Sequence, residues 1–575
     1  MPLKYLFYIF ITLLPFSFFL PWAMAEKAFF IVFILALFAF GIKEVNLRGG
    51  AIRNCLIVFL FFSLLSLAFS KNSVQSLWGK AGGLDSFFFF SALFLVFLFA
   101  QAAFKKKEDI KTMLFLFLAV SAVSSLLLFF LTPRSVESLA LLASFSLALS
   151  LYFSFFEKKK VAFGFLSLFF FFVLLFFDFR IVWLAPSLFS FFIFWKMARK
   201  EASRPKLILS FLCFAFLASF LFLPNLFPPR FSLVNNISLD NSWQIFLQSS
   251  FHDGKNFFLG SGPATFNYQY SLYKDKNWSQ TAVEESASGF LTILICFGFP
   301  AFLSLIFAFF FFFKKEFPRF FNNNQGIDDA VLLLVFSIFI LLIVFRLNFV
   351  LLFLLFALFG FKEGLPEKES RSSFKWLIAI ALVFLLLSSG FFKFFFAENL
   401  AQQAVKSYNN QDIDSAIVEM DKAAKVFNSP DYYIGLSQLY LLKASDIFNN
   451  NWSLEDDVAK QLEEKQNNLK DVVSQAETAA EFASNLDPWN ATAWQNLGLV
   501  YENTSFLIED RTDKALEAYS KAEELSPSSF FVYFAKARIY ERKGDKEKSL
   551  EQYEKAFDIN PSYQGLADKI KELKD

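Results

Sequence analysis

The first two thirds of the chain alternate long apolar runs with short polar breaks. The runs fall near residues 4–23, 28–42, 51–69, 86–104, 112–132, 136–156, 161–177, 181–198, 207–225, 289–313, 330–346, 348–361 and 374–396. About 20 apolar residues are needed for a helix to cross the hydrocarbon of a bilayer. The pattern therefore predicts a bundle of about thirteen membrane-spanning helices. Two stretches exceed one crossing. Residues 161–195 are interrupted at Asp178-Phe179-Arg180, and residues 331–361 at Arg346-Leu347-Asn348, so each reads as a hairpin. Lys4 followed by an apolar run to Leu20, with Ala23-Met24-Ala25 behind it, has the form of a signal peptide. With so many runs following, it reads as an uncleaved first helix.

The pattern breaks twice. From Phe227 to Ser288 the sequence turns polar, giving a single large loop, assigned here as 226–288. Irregular backbone beside a bilayer persists only where protein buries it or where it lines a wet cavity, so this loop is the first place to look for chemistry. After Ala397 the period becomes that of polar, Ala-rich helices, and residues 397–575 form a second domain. Pro527 and Pro561 stand 34 residues apart, the period of the tetratricopeptide (TPR) repeat. Tyr533, Ala537, Tyr540, Ser549, Tyr553 and Ala556 precede Pro561 at that repeat's spacings. Trp494, Leu497, Gly498, Tyr501, Ala515, Tyr519 and Ala522 precede Pro527, with five extra residues between the two helices. Ala476, Ala480, Ala483 and Pro488 end an earlier unit, and Ala416, Met420 and Ala423 mark one before it. Residues 449–475 read as an insertion and 563–574 as a capping helix. The fold class is all-α: a polytopic transmembrane bundle followed by an α-solenoid of TPR-like repeats.

Charge sets a direction. Lys and Arg concentrate in alternate breaks, at Lys43, Arg48 and Arg53, Lys105–Lys107, Lys158–Lys160, Lys196 to Lys206, Lys314 to Arg319, and Lys362 to Lys375. The positive-inside rule makes these cytoplasmic. The large loop is then on the outer side, and an odd number of spans puts 398–575 there too. The net charge of +2 gives no reason to expect a nucleic-acid partner. The three cysteines (Cys55, Cys213, Cys296) have no metal spacing, and His252 is the only histidine. No metal or cofactor is expected.

Several residues suit a site at the outer face. The run Leu259-Gly260-Ser261-Gly262-Pro263-Ala264-Thr265-Phe266 has the glycines of a phosphate cradle but lacks the Lys-Ser/Thr of a nucleotide loop. It equally suits a tight turn packed over a cavity. Arg180 and Arg230 are either interfacial arginines that snorkel or guanidinium forks for a lipid pyrophosphate. Lys80, in Ser76-Leu77-Trp78-Gly79-Lys80, faces anionic headgroups or the same phosphate. Trp78 and Trp243 fit interfacial anchors. Glu284-Glu285 are solvated loop acids or, with partial burial, hold a general base. His252 precedes Asp253-Gly254 and reads as part of a turn.

Taken together, the stretches Ser76-Leu77-Trp78-Gly79, Arg180-Ile181-Val182-Trp183, Ser242-Trp243-Gln244-Ile245, Leu259–Phe266, Ser288-Gly289-Phe290-Leu291 and Phe297-Gly298-Phe299 resemble the O-antigen ligase and O-antigen polymerase family. The likeness covers roughly residues 1–396, and some members carry an outer TPR domain. The resemblance implies a multispanning protein of the bacterial cytoplasmic membrane. It would transfer a glycan from a polyprenyl pyrophosphate to an acceptor hydroxyl without metal. Arg180, Arg230, Lys80 and Trp243 would then bind the lipid-linked glycan. The family's histidine before the tenth run is replaced here by Ala287, and the places of an Arg and a Gly after the Trp-Gly turn hold Gly83 and Ser86. Glu285 is then the candidate base. The alternative is a non-catalytic, membrane-anchored scaffold whose repeats recruit protein partners for envelope assembly. Transport of the same glycan ranks third, since no internal symmetry of halves is visible.

Overall fold

The computed structural model describes the chain apart from residues 1, 21–23, 42–44, 46–49, 81–82, 129–130, 132–135, 158–159, 179, 200–202, 222–230, 233–236, 279–282, 323–325, 365–373, 450–457, 506–509 and 575. The described residues are helical almost throughout. Extended pairing among them is limited to two residues on each side, Phe177–Asp178 parallel with Phe231–Ser232. The chain divides into two compact units. Met1–Ala264 with Glu285–Ser389 make the first, and Thr265–Glu284 with Gly390–Asp575 make the second. The large loop is thus divided: its 265–284 part belongs with the repeats and not with the apolar bundle.

In the first unit every apolar run contains a helix. Among the described residues, six helices are long and apolar enough to cross a membrane by length and composition: Ala51–Ala68, Lys107–Leu127, Val136–Phe156, Arg180–Arg199, Gly326–Val344 and Ile378–Asn409. Leu3–Ser17, Phe87–Ala103 and Lys160–Leu174 are apolar but shorter. Helix length alone therefore does not establish thirteen crossings. Helices do stop at both interruptions, ending at Leu174 and Val344 and resuming by Arg180 and Phe349. The run at 289–313 differs from its expected single helix. Gly289–Phe297 stops at Gly298, which has φ +84°, and Phe299–Asn322 resumes beyond it. The large loop is also more regular than its polarity suggests, with helices Leu239–His252, Gly254–Leu259 and Phe266–Tyr273.

The core of this unit is apolar on all sides of some helices. Leu351, Leu352, Leu355, Leu358 and Phe359 of Phe349–Gly364 are fully buried. The Phe87–Ala103 helix packs so close that a Cβ on Gly360 would lie 2.4 Å from the Phe97 carbonyl oxygen. Glycine permits that approach, as small residues do between apolar helices. The ion pairs, with the polar contacts beside them, lie near helix ends and form two sets that alternate along the chain. One set joins Lys4 to Asp109 (2.7 Å), Lys107 to Asp328 (2.6 Å), Lys111 to Glu157 (2.7 Å), Lys362 to both Glu316 (2.8 Å) and Asp328 (2.7 Å), and Lys196 to Asp329. The other joins Lys27 to the carbonyls of Lys80 and Gly83, Ser138 to Glu26 (3.4 Å), Asn348 to Ser138 (3.3 Å), and Arg346 to Glu137 (2.9 Å).

The second unit stacks helix hairpins. The end of Phe374–Asn409 pairs with Ile413–Val426, and Pro430–Asn449 with Val458–Leu486. Ala491–Thr504 pairs with Thr512–Leu525, and Phe530–Arg542 with Lys546–Ile559; Leu566–Lys574 closes the series. Ala416, Ala423, Ala476, Ala480, Ala515, Ala522, Ala537 and Ala556 are fully buried at the seams. A Cβ on Gly498 would meet the Tyr519 ring at 2.6 Å. Small residues let paired helices approach, and stacked neighbours bury what one hairpin leaves open. Much of the expected insertion at 449–475 is an extension of the 29-residue Val458–Leu486 helix.

Candidate functional site

Four stretches distant in sequence meet in the first unit. The first is a short helix, Ser73–Trp78, capped by Asn72, whose side chain accepts from Gln75 N at 3.0 Å. It ends at Gly79, φ +80°, and Ser86 caps the next helix at Phe89 N, 3.2 Å. A Cβ on Gly79 would sit 3.0 Å from that of Ser86, so the two helix ends stand close. Lys27, nearly buried, donates its ammonium to the carbonyls of Gly83 and Lys80, the latter at 3.1 Å.

The second stretch is 285–292. Glu285, half-buried, accepts the Leu84 N–H at 3.1 Å. Asp85 is buried and accepts a long contact from the Cys296 thiol, 3.7 Å. A Cβ built on Gly83 would lie 3.0 Å from Asp85 Oδ1 and 3.5 Å from Glu285 Oε1. Both carboxylates therefore face one glycine, with the Lys27 ammonium on its carbonyl. Ser288 caps the Gly289–Phe297 helix and donates to the Leu342 carbonyl at 3.0 Å, while Ser286 lies 3.1 Å from Thr292 Oγ1.

The third stretch, 242–243, approaches the second: Ala287 N donates to the buried Ser242 hydroxyl at 3.0 Å. Trp243 itself is 47% exposed and tilts against Phe246, 5.2 Å between ring centres.

The fourth stretch is the glycine run. A helix stopped at Gly298 leaves carbonyls without helical partners. Ser261 N donates to Ile295 O at 2.9 Å, Gly262 N to Cys296 O at 3.0 Å, and the Ser66 hydroxyl adds a bond to Cys296 O at 2.8 Å. Gly260 (φ +73°) and Gly298 lie backbone on backbone, and a Cβ on either would reach 2.3–2.4 Å from a carbonyl oxygen of the other segment. Gly262, φ +114°, passes between Ser70 and Ser76, and Gln75 holds the Ala264 carbonyl at 2.5 Å. The run is thus a packed turn whose N–H groups face carbonyls. Its use as a phosphate cradle is ruled out for Ser261 and Gly262.

The other candidates divide. Lys80 is half-buried, and its carbonyl shares the Lys27 ammonium with that of Gly83. Arg180 opens the Arg180–Trp183 turn, is exposed, and forms no ion pair among the described residues. No described contact brings it to Glu285. Arg230 lies outside the described residues. His252 ends its helix, exposed. Glu284 is exposed. Lys27 and Asp85 were not among the candidates read from sequence. Each is an ionisable residue next to an apolar run, and that adjacency was the signal available.

In the second unit Tyr268, from the large loop, donates to Asp487 at 2.5 Å, and Tyr270 stacks on Trp278. Lys274, buried at the end of that loop helix, has its ammonium pushed down to about 8 by desolvation.

Among known proteins, a tetratricopeptide repeat model matches residues 532–563, the Phe530–Arg542 and Lys546–Ile559 hairpin. The chain therefore carries a TPR repeat there. No curated protein matches. Similar solved structures include YrrB, described as a TPR protein with an unusual peptide-binding site. It is 18% identical over 34% of this chain and 83% of its own, with TM-score 0.23. TTC0263, a TPR protein from Thermus thermophilus, is 18% identical over 31% of this chain and 98% of its own, with TM-score 0.19. The Cut9–Hcn1 hetero-tetramer of the APC/C is 13% identical over 96% of this chain and 84% of its own, with TM-score 0.24.

Proposed function

We propose that the first unit is a membrane-embedded transferase for a polyprenyl-pyrophosphate-linked glycan, of the O-antigen ligase or polymerase kind, and that the repeats hold a protein partner. One observation carries the reading: four of the resembling stretches, Ser76–Gly79, Ser242–Ile245, the Leu259–Ala264 part of the glycine run and Ser288–Leu291, lie in segments that hydrogen bonds tie together near Glu285, from Gln75 to Ala264, Ser261 to Ile295, Ala287 to Ser242 and Leu84 to Glu285. In the reaction the acceptor hydroxyl oxygen attacks the anomeric carbon. The bond from that carbon to the pyrophosphate oxygen breaks, and the lipid pyrophosphate leaves with the electron pair. Glu285 takes the hydroxyl proton. Lys27 lies against the carbonyl of Gly83 and keeps a positive charge near the two carboxylates. Lys80 and Arg180 are the cations for the leaving pyrophosphate, and Trp243 offers an exposed ring to a sugar. The alternating polar sets at helix ends support a chain that runs back and forth through a bilayer. The set with Glu285 would be on the outer side, as would residues 398–575.

The test is transfer of labelled lipid-linked glycan by the full chain in membranes. Glu285→Gln should lower it by about two to four orders of magnitude with lipid binding retained, and Arg180→Ala should weaken lipid binding. Wild-type transfer matched by Glu285→Gln would sink the reading. A second reading is a scaffold without catalysis. Ala287 at the histidine position favours it, as does the TPR repeat at 532–563. It predicts no transfer by the wild type and loss of envelope integrity when the repeats are removed.

A further inference from the structure

Two lysines distant in sequence are brought together in the first unit. The Ala51–Ala68 helix, long and apolar enough to cross a membrane, ends just before Phe69, and Lys71 follows. Lys255 stands on the Gly254–Leu259 helix of the large loop, and its ammonium donates to the Phe69 carbonyl at 2.6 Å, across a separation of 186 residues. The same ammonium lies 6.0 Å from the Phe69 ring. The approach is built into the fold, because Gly262 of the same loop packs against Ser70 and Ser76. Both lysines are exposed. Desolvation, and then the Lys255 charge, hold the Lys71 ammonium below its ordinary value against the pull of Asp253. Asp253 contributes one carboxylate to the pair, and its Oδ1 already accepts the Lys255 backbone N–H at 3.0 Å. Two ammonium groups thus share one carboxylate, and a positive charge is left over. Around them Phe69, Val74, Phe251 and Phe258 are each more than half exposed. Large apolar side chains beside lysines suit a membrane interface, where acyl chains cover the rings and headgroups meet the ammoniums.

We infer that Lys71 and Lys255 form a site for the phosphate of an anionic phospholipid, with its acyl chains lying over Phe69 and Phe258. Like charges held together on a surface repel, and an anion between them relieves the repulsion. The single surplus charge matches the single negative charge of a phosphodiester headgroup, whereas a pyrophosphate brings more than the pair can balance. Position agrees, since Lys71 lies just beyond a helix of membrane length. The inference rests on the membrane reading of the first unit and not on glycan transfer. A chain that transfers glycan and shows no lipid preference loses this inference alone.

The experiment holds the full chain on beads in an uncharged detergent and compares retention of tritiated phosphatidylglycerol with that of tritiated phosphatidylcholine. The anionic lipid should be retained more tightly, by about fivefold for each lysine, and the preference should fall with salt. Lys255→Gln and Lys71→Gln should each lower the preference about fivefold with the helical melt unchanged, and Lys255→Arg should keep it. Lys71→Gln leaves the Lys255 bond to Phe69 in place, so it decides the matter if Lys255→Gln loosens the loop. Lys206→Gln, an exposed charge in another break, should change nothing. Equal retention of the two lipids overturns the proposal, as does an equal loss from Lys206→Gln, which would mean diffuse surface charge. Displacement of the lipid by inorganic phosphate overturns it in favour of a free-anion site. Tighter, Lys71-dependent binding of farnesyl pyrophosphate overturns it in favour of the pyrophosphate carrier.

Discussion

The two units handle polar groups in opposite ways. In the apolar unit ionisable side chains gather at helix ends and pair across great sequence distances: Lys107 with Asp328 at a separation of 221 residues, Arg346 with Glu137 at 209, Lys196 with Asp329 at 133. In the repeat unit they pair within or between neighbouring hairpins: Tyr553 with Glu541 at a separation of 12, Tyr519 with Glu502 at 17, Tyr501 with Glu481 at 20. A repeat touches only its neighbours, so its contacts are nearly local. A bundle closes by contacts that no local pattern announces. The apolar unit should therefore depend on a few irreplaceable long-range junctions, and the repeats on many small, similar ones.

The sharpest break in that comparison is at Gly298. A side chain there meets the Phe258 carbonyl oxygen at 2.4 Å and Gly260 N at 2.7 Å, and the φ of +84° is strained for any other residue. Backbone cannot step aside as a flexible side chain can. Gly298→Val should destabilise the first unit by more than about 4 kcal/mol, read as loss of its folded form in detergent, while the repeat unit still melts cooperatively. A variant with an unchanged melt in both units would mean that the junction of Gly260 with Gly298 does not hold the bundle.

Next in size is the buried pair of Lys196 and Asp329. Their side chains are 6% and 3% exposed, Tyr152 donates to Asp329 at 2.9 Å, and the Lys196 ammonium lies 4.9 Å from the Phe320 ring and 5.3 Å from the Phe156 ring. Asp329→Asn removes the carboxylate that faces the buried Lys196 ammonium and should lower stability by about 3–5 kcal/mol. Lys196→Met with Asp329→Leu removes both charges and should recover most of that loss, because an apolar pair escapes the desolvation cost. A double variant as unstable as the single one would show that the pair is needed for more than charge balance.

The same contrast explains what was legible. The repeats could be read from spacing, because Ala537, Ala556 and Gly498 stand where two helices must touch, and the requirement recurs every 34 residues with one five-residue insertion. The apolar helices were legible as segments, and Asp178-Phe179-Arg180 and Arg346-Leu347-Asn348 did mark helix ends. The stop at Gly298 was not, since Phe297-Gly298-Phe299 sits inside an unbroken apolar run and only the docked Gly260 turn makes the stop possible. Part of the candidate site was visible: Glu285, Lys80 and the glycine run all belong to it. Lys27 and Asp85 were missed because nothing in their neighbourhood reveals which distant segment they meet. Arg180, which suits either an interfacial arginine or a pyrophosphate anchor, is exposed, and no described contact joins it to Glu285. The membership of 265–284 in the repeat unit was hidden for the same reason, as its partner Asp487 is 219 residues from Tyr268.

That segment supplies the smallest effect and the finest test of the contrast, because it is a long-range joint inside the repeat unit. Lys274 is buried there, and desolvation lowers its ammonium from the ordinary 10.5 to about 8. A lysine whose folded value lies below its unfolded value binds fewer protons when folded. Stability then rises with pH wherever the unfolded chain holds the extra proton. The penalty is therefore fully present below about pH 8 and is relieved between about 8 and 10.5, by about 3 kcal/mol at most. Lys274→Met should remove it. Denaturant unfolding of the repeat unit in the full chain, compared between wild type and Lys274→Met at each pH, cancels the titration of the other tyrosines and lysines. The variant should be the more stable of the two at pH 7, and its advantage should shrink steadily from pH 8 to pH 10.5. An advantage that does not change with pH would mean that the Lys274 site gains from a better-packed side chain and carries no buried charge. A variant less stable at every pH would mean that the ammonium contributes a favourable contact, and that 265–284 is tied to the repeats by charge rather than by burial.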